Sequence, residues 1–207
     1  MSTASDASVP TEQLNAPEQQ HTSEQNRAPR KGALVFIDMQ NIFADQAGQW
    51  GVSNYSEVEQ AMARLRERDG SPVIWTRFVR DPEEHGAWAD YYDRWDECRA
   101  EPESAVWDLT SPVREGDQVL SMPTFSKCGD ELAEMTKDYD RLVLAGVATD
   151  CCVIGTALGA VDTGKWVTVL TDACGGGTKE VHDKAMAIMD CFNPMLTLMT
   201  VDEYLNS

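Results

Sequence analysis

The chain is short of positive charge. Seventeen Lys and Arg stand against 35 Asp and Glu, a net charge of −18 over 207 residues. A surface this acidic repels phosphate backbones and anionic membranes, so neither nucleic acid nor a membrane is expected as a partner. A neutral or cationic small molecule suits the field better. No run reaches the roughly 18 apolar residues needed to span a bilayer. The N-terminus lacks a basic stretch followed by an apolar one, so no secretory signal is expected. The six cysteines (98, 128, 151, 152, 174 and 191) lack metal-type spacing, and without an export signal they read as reduced thiols of a cytoplasmic protein. Neither G-x-G-x-x-G nor a P-loop occurs; "GGGTK" (175–179) lacks the spacing and reads as a flexible turn before a helix. No internal repeat is visible.

Large apolar residues are nearly missing from residues 1–30, which are rich in Ser, Thr, Gln, Glu, Ala and Pro. Such a segment buries too little to offset its ordering entropy. It reads as a disordered or loosely packed arm, or as a strap onto a neighbouring subunit. Residues 31–207 read as one domain. "ALVFID" (33–38) is a continuous apolar run ending in an acid, the mark of a buried parallel strand. Further strands are predicted at 71–78, 117–122, 141–147, 165–173 and 194–201. Helical patterns fall at 54–69, 86–95, 129–135, 150–163 and 178–191. This alternation predicts an α/β fold: three layers, with a six-stranded, mostly parallel sheet and helices on both faces. In such sheets ligands bind at the carboxyl ends of the strands.

Three strand ends carry groups able to do chemistry. The first ends at Asp38, the third runs into "SMPTFSKCGDEL" with Lys127, and the fourth runs into "GVATDCCV" (146–153). A carboxylate, an ammonium and a thiol at one rim make a workable hydrolase site: the carboxylate takes the thiol proton and the sulfur attacks a carbonyl carbon. Taken singly, each has a plainer reading: a cap, a surface charge, a small core residue. A strand-end carboxylate at a cleft is not core, so Asp38 is expected to be dispensable for folding. Trp88, Tyr91, Tyr92 and Trp95 share one helical face, which reads either as core or subunit contact, or as an aromatic wall for a flat or cationic substrate completed by Trp50.

"ALVFIDMQNIF" followed by "RLVLAGVATDCCVIGTAL" resembles the isochorismatase-like cysteine hydrolases, a family that includes nicotinamidases, N-carbamoylsarcosine amidohydrolases and isochorismatases. The resemblance covers residues 31–203 and implies a triad of Asp, Lys and Cys, here Asp38, Lys127 and Cys152. The family motif T-D-x-C-V, laid on "TDCCV" (149–153), makes Cys152 the nucleophile and puts Cys151 in the variable slot. Asp150 or Thr149 then caps the helix, and free N–H groups with the helix dipole are expected to lower the Cys152 pKa. Cys151, about 100° further round the helix, reads as a packing residue or as a resolving thiol. The resemblance also implies a cis bond between Val147 and Ala148, which would aim the Ala148 N–H, with that of Cys152, at the substrate oxygen.

The lysine departs from the family. The pattern K-x-x-[YF]-S-A-F, laid on "MPTFSKC" (122–128), puts Met122 in the lysine position. Two readings follow: Lys127 reaches back from the loop, or the site lacks a lysine and Met122 makes its floor more apolar. His85 stands alone in "TRFVRDPEEHGAW", so no metal or other cofactor is expected, and His85 and His182 read as solvent-facing or helix-surface groups. The expected activity is cleavage of a C–N bond in a small amide or N-carbamoyl substrate through a thioester on Cys152, with Trp50, Trp88, Tyr92 and Met122 binding the substrate. A homo-oligomer, dimer or tetramer, is expected. Vinyl-ether hydrolysis of the isochorismatase type needs the acid but no thiol, so the Asp38–Cys152 pair argues against it. A non-catalytic binding protein on the same fold is supported by the missing lysine at 122.

Overall fold

A computed structural model describes residues 32–207, and the predicted arm lies outside them. Six strands form one wholly parallel sheet: β1 (Gly32–Ile37), β2 (Val73–Phe78), β3 (Gln118–Met122), β4 (Arg141–Val147), β5 (Trp166–Gly175) and β6 (Leu196–Met199). Their order is β3-β2-β1-β4-β5-β6. The apolar runs explain the centre. Every residue of β1 after Gly32 is buried, and so is every residue of β4 after Arg141, because both faces of these strands are covered. The edge strand β3 is mostly exposed.

The helices are α1 (Asn41–Ala44), α2 (Tyr55–Asp69), α3 (Ala87–Arg94), α4 (Asp130–Met135), α5 (Ile154–Asp162), α6 (Lys179–Asp190) and α7 (Val201–Leu205). The chain runs outward from β1 to β3, returns beside β1, and runs outward again from β4 to β6. Right-handed crossovers in opposite directions put α2 on one face of the sheet and α5 and α6 on the other. The order therefore reverses between β1 and β4, and the crevice at their carboxyl ends is where such sheets take ligands. At this crevice one backbone position is reserved for glycine. Gly146 sits at φ +120°, and a Cβ there would stand 2.1 Å from the Ile37 carbonyl oxygen, so no side chain fits.

Two local expectations change. The last strand stops at Met199, and the chain turns into α7 through a capping box in which Thr200 and Glu203 satisfy each other's backbone N–H. The fourth helix does not start at 150: residues Thr149–Val153 form a π-turn ahead of α5. Among the described residues no helix is long and apolar enough to cross a membrane.

Candidate active site

Asp38 follows β1 directly, with φ +52°, a left-handed conformation that Asp tolerates better than most residues. Its backbone N–H donates to the carbonyl oxygen and to Oγ1 of Thr76, both at 3.2 Å, and its Oδ1 accepts from Thr76 Oγ1 at 2.6 Å. The carboxylate is thus aimed by the neighbouring strand. It is fully buried. That corrects the expectation that Asp38 stands outside the core.

Lys127 reaches this carboxylate from the loop after β3. Its Nζ lies 2.9 Å from Asp38 Oδ2, and neither side chain is exposed. The same Nζ donates to the Thr124 carbonyl at 2.8 Å and lies 4.9 Å from the centre of the Phe78 ring. The loop is held against α5. The Lys127 backbone N–H donates to Thr156 Oγ1 at 3.0 Å, and a Cβ on Gly159 would come within 3.0 Å of both Cys128 and Ser126. A small residue on α5 therefore lets the lysine loop sit close enough to deliver its ammonium. The Nζ approach to Asp38 is an ion pair outside hydrogen-bonding angles, and no N–H or O–H among the described residues is directed at Oδ2. Met122 takes no part. Its half-buried side chain lies along Gly129, 3.6 Å from where a Cβ would stand.

Cys152 lies in the π-turn, 3% exposed. The Ala148 carbonyl accepts from Cys151 N–H at 3.0 Å and from Val153 N–H at 3.1 Å, the second bond spanning five residues. The expected cap is absent. Thr149 Oγ1 bonds His182 Nδ1 at 2.9 Å, and Asp150 Oδ1 accepts the Gly177 N–H at 3.2 Å. His182 is therefore not a simple surface residue; it is half-buried against the Thr149–Val153 turn. The Val147–Ala148 bond is cis.

The thiol's electrostatics reverse the expected direction. Burial first, and the Asp38 carboxylate next, push the Cys152 thiol well above its ordinary range, while Lys127 pulls it back. Both of the larger effects favour the protonated thiol. Helix-terminus stabilisation of a thiolate does not decide the matter here, because full burial penalises the anion more. Cys151 is half-buried and its pKa is pushed up to about 11, by burial and then by Asp150.

A cleft of about 280 Å³ opens above Cys152, and Ala148 and Cys151 also line it. Asp38, Lys127 and Val147 lie buried below and do not line it. Of the predicted binding residues, Trp50 lines the cleft, whereas Trp88, Tyr92 and Met122 do not. The four-ring face of α3 exists, but it enters the cleft by its other members, Tyr91 and Trp95. Trp88 packs against Phe125 at 4.9 Å and Phe78 at 6.0 Å, and Tyr92 is buried under the guanidinium groups of Arg80 and Arg99. Sequence reasoning missed Phe43, Phe78 and Phe125. All three follow or end a strand of the switch-point half of the sheet, and that position was the available signal. Among the described residues no three His, Cys, Asp or Glu converge to hold a metal ion. The exposed His85 ring has its Nδ1 3.3 Å from the Glu83 carbonyl oxygen, and neighbouring Glu84 is paired with Arg80 and Arg99.

A parallel sheet with a carboxylate, an ammonium and a thiol at its switch point defines a class of α/β hydrolytic enzymes, and comparison with known proteins narrows it. Residues 32–202 match the isochorismatase domain, and the chain belongs to that family of isochorismatase-like hydrolases. Over 67 residues it is 37% identical to the nicotinamidase of Escherichia coli (strain K12), a match covering 32% of this chain and 32%, about a third, of that protein. An isochorismatase family protein from Desulfovibrio vulgaris subsp. vulgaris str. Hildenborough superposes with a TM-score of 0.73 at 21% identity, over 86% of this chain and all (100%) of that one. The pyrazinamidase of Pyrococcus horikoshii, solved in complex with zinc, superposes with a TM-score of 0.69 at 24% identity, over 82% of this chain and 99% of that one. At these identities the two structures speak to the fold alone.

Proposed function

We propose that this chain is a cysteine hydrolase that cleaves a C–N bond in a small amide or N-carbamoyl substrate. One observation carries the reading. Asp38, buried, ion-paired with Lys127 and with no N–H or O–H directed at its Oδ2, lies beside the Cys152 thiol at the floor of an open cleft. A carboxylate so arranged is ready to take a proton.

In the proposed reaction the substrate carbonyl lies over Cys152 with its oxygen towards the backbone N–H groups of Ala148 and Cys152. The thiol proton moves to Asp38 as sulfur attacks the carbonyl carbon. Collapse of the tetrahedral intermediate breaks the C–N bond, and Asp38 gives its proton to the leaving nitrogen, leaving a thioester on Cys152. Water then attacks the thioester, again passing a proton to Asp38, and the carboxylic product departs as the thiol reforms. Lys127 holds Asp38 in line and stabilises negative charge wherever it resides, on oxygen or on sulfur. The test is to present a panel of small amides and carbamoyl compounds, quench in acid, and weigh the intact protein. An acyl adduct that maps to Cys152, and loss of turnover in Cys152→Ala, are expected. Turnover undiminished in Cys152→Ala would overturn the reading.

A further inference from the structure

The cleft carries more information than the triad beneath it. Six rings line it: Phe43, Trp50, Phe78, Tyr91, Trp95 and Phe125. They form a connected wall. Trp50 stacks on Phe43 at 5.9 Å and an interplanar angle of 11°, Tyr91 meets Trp50 at 6.1 Å, and Phe125 meets Tyr91 edge-on at 5.6 Å. Among the described residues lining the cleft one has a carboxyl side chain, Asp150. Its Oδ1 is used by the Gly177 N–H, but its Oδ2 has only the Cys151 thiol, at 3.8 Å, a weak donor. Among the described residues no Lys or Arg lines the cleft. The nearby ammonium of Lys127 is buried and committed to Asp38 and Thr124, and Arg94 lies over Trp95 at 5.1 Å without belonging to the lining.

We infer that the substrate is a small cationic amide or carbamoyl compound, its carbonyl over Cys152 and its ammonium or other cationic nitrogen held by Asp150 Oδ2 and the aromatic wall. Ring faces attract cations, most strongly where water is excluded. Among the described residues lining the cleft, an anionic substrate would find a carboxylate and six ring faces and no cation. A neutral one would leave the Asp150 charge desolvated and unanswered. The long-range field agrees, since a net charge of −18 raises the local concentration of cations. Asp150 and Cys152 are two residues apart on one turn, so the spacer between carbonyl and cation is short. The volume of about 280 Å³ lies at the small end of ligand pockets.

For turnover this inference rests on the hydrolase reading; for binding it does not, and the experiment separates the two. Three primary amides are compared: trimethylglycinamide (cationic), its carbon isostere 3,3-dimethylbutanamide (neutral) and the smaller malonamate (anionic). Each is tested for protection of Cys152 against chloroacetamide, read by peptide mass, and for release of ammonia. The cation should protect at a concentration at least about tenfold lower than the neutral isostere. Malonamate should not protect. In Asp150→Asn, which keeps an acceptor for the Gly177 N–H and removes only the charge, the ratio should fall below about threefold, since the rings alone then discriminate. Equal or better protection by the neutral isostere or by malonamate overturns the inference, as does protection by none of the three. Selective protection by the cation without ammonia release upholds the cation site and counts against the proposed hydrolysis instead.

Discussion

Removing either member of the Asp38–Lys127 pair should damage folding as well as chemistry, and removing both should repair the folding alone. The two charges are 2.9 Å apart and fully buried. At that separation and an effective dielectric of about 20 their attraction is about 6 kcal/mol. Much of it offsets the cost of taking both from water, so the pair adds little net stability. An unpartnered survivor keeps that cost: breaking a buried pair is worth about 3–5 kcal/mol of destabilisation, while replacing both by uncharged groups is often neutral. Asp38→Asn keeps the acceptor for Thr76 Oγ1 but leaves the ammonium with the Thr124 carbonyl alone. Lys127→Met leaves a buried Asp38 carboxylate with the Thr76 hydroxyl and without its counter-charge. Each single variant should lose about 3–5 kcal/mol, roughly 6–20 °C in Tm for a domain of this size. The double variant should lose under about 2 kcal/mol, giving a coupling of about 3 kcal/mol or more. Urea unfolding followed by fluorescence of the 6 tryptophans measures all three. Turnover should be absent in every one. Strictly additive losses, or single variants within about 1 kcal/mol of the parent, would show that the pair is not the buried, mutually dependent unit described.

Chloroacetamide, small enough to enter the cleft, should label Cys152 before the more exposed Cys151, and the rate should rise through the alkaline range because burial and Asp38 raise the thiol pKa; preferential labelling of Cys151 would reassign the nucleophile. Turnover should be indifferent to EDTA, and loss restored by added zinc or manganese would refute this. Burial, the largest effect, lowers the His182 pKa below its ordinary 6.5, so the unfolded chain binds the proton first. Stability from this group is therefore full above about pH 6.5 and is lost as pH falls through the folded value. His182→Gln should shrink the drop in Tm between pH 7.5 and 5.5; an unchanged drop would remove His182 from the acid response.

Position along the strands was legible in the sequence, and surroundings were not. Asp38 and the Cys151–Cys152 pair are found by asking which strand ends carry chemistry, because the apolar runs of β1 and β4 mark buried parallel strands; the choice of Cys152 comes from the family resemblance, and the strand order that makes this the switch point comes from the structure. Lys127 sits in a loop whose course depends on Gly159 and Thr156 of a helix 28 or more residues further on, contacts that no local pattern encodes. The phase of α3 was readable, and so were the four rings that share its face. Which edge of that face meets the cleft depends on the tilt of the helix, and tilt leaves no mark on periodicity. The direction of the Cys152 pKa failed for a related reason. Helix termini and neighbouring lysines are visible in a sequence, but the desolvation that outweighs them appears only when the whole turn is buried. Residues 194–201 misled because a continuous apolar run cannot distinguish a strand from a strand and the start of a helix, although the T-x-x-E of the capping box was present.

The raised thiol pKa and the displaced lysine belong to one electrostatic arrangement. The proposed reaction starts from the Asp38–Lys127 ion pair beside a protonated thiol, the form that burial and Asp38 favour. In the proposed reaction the thiol proton passes to Asp38, leaving a neutral acid, the same ammonium and an anionic sulfur. The sum of charge beneath the cleft is unchanged by that step. A preformed thiolate would add a second anion to a volume closed to water, and the direction of the Cys152 pKa reflects the cost of doing so. What the step requires of the lysine is one positive charge near both possible seats of the negative one, and Coulomb attraction depends on where the charge lies and not on which backbone position carries it. An ammonium delivered from the loop after β3 meets that requirement as well as one delivered from the strand end, provided the loop is held still. Thr156, Gly159 and the Thr124 carbonyl hold it. Met122 is then free of any electrostatic duty, which accords with its side chain lying against Gly129 and away from the cleft.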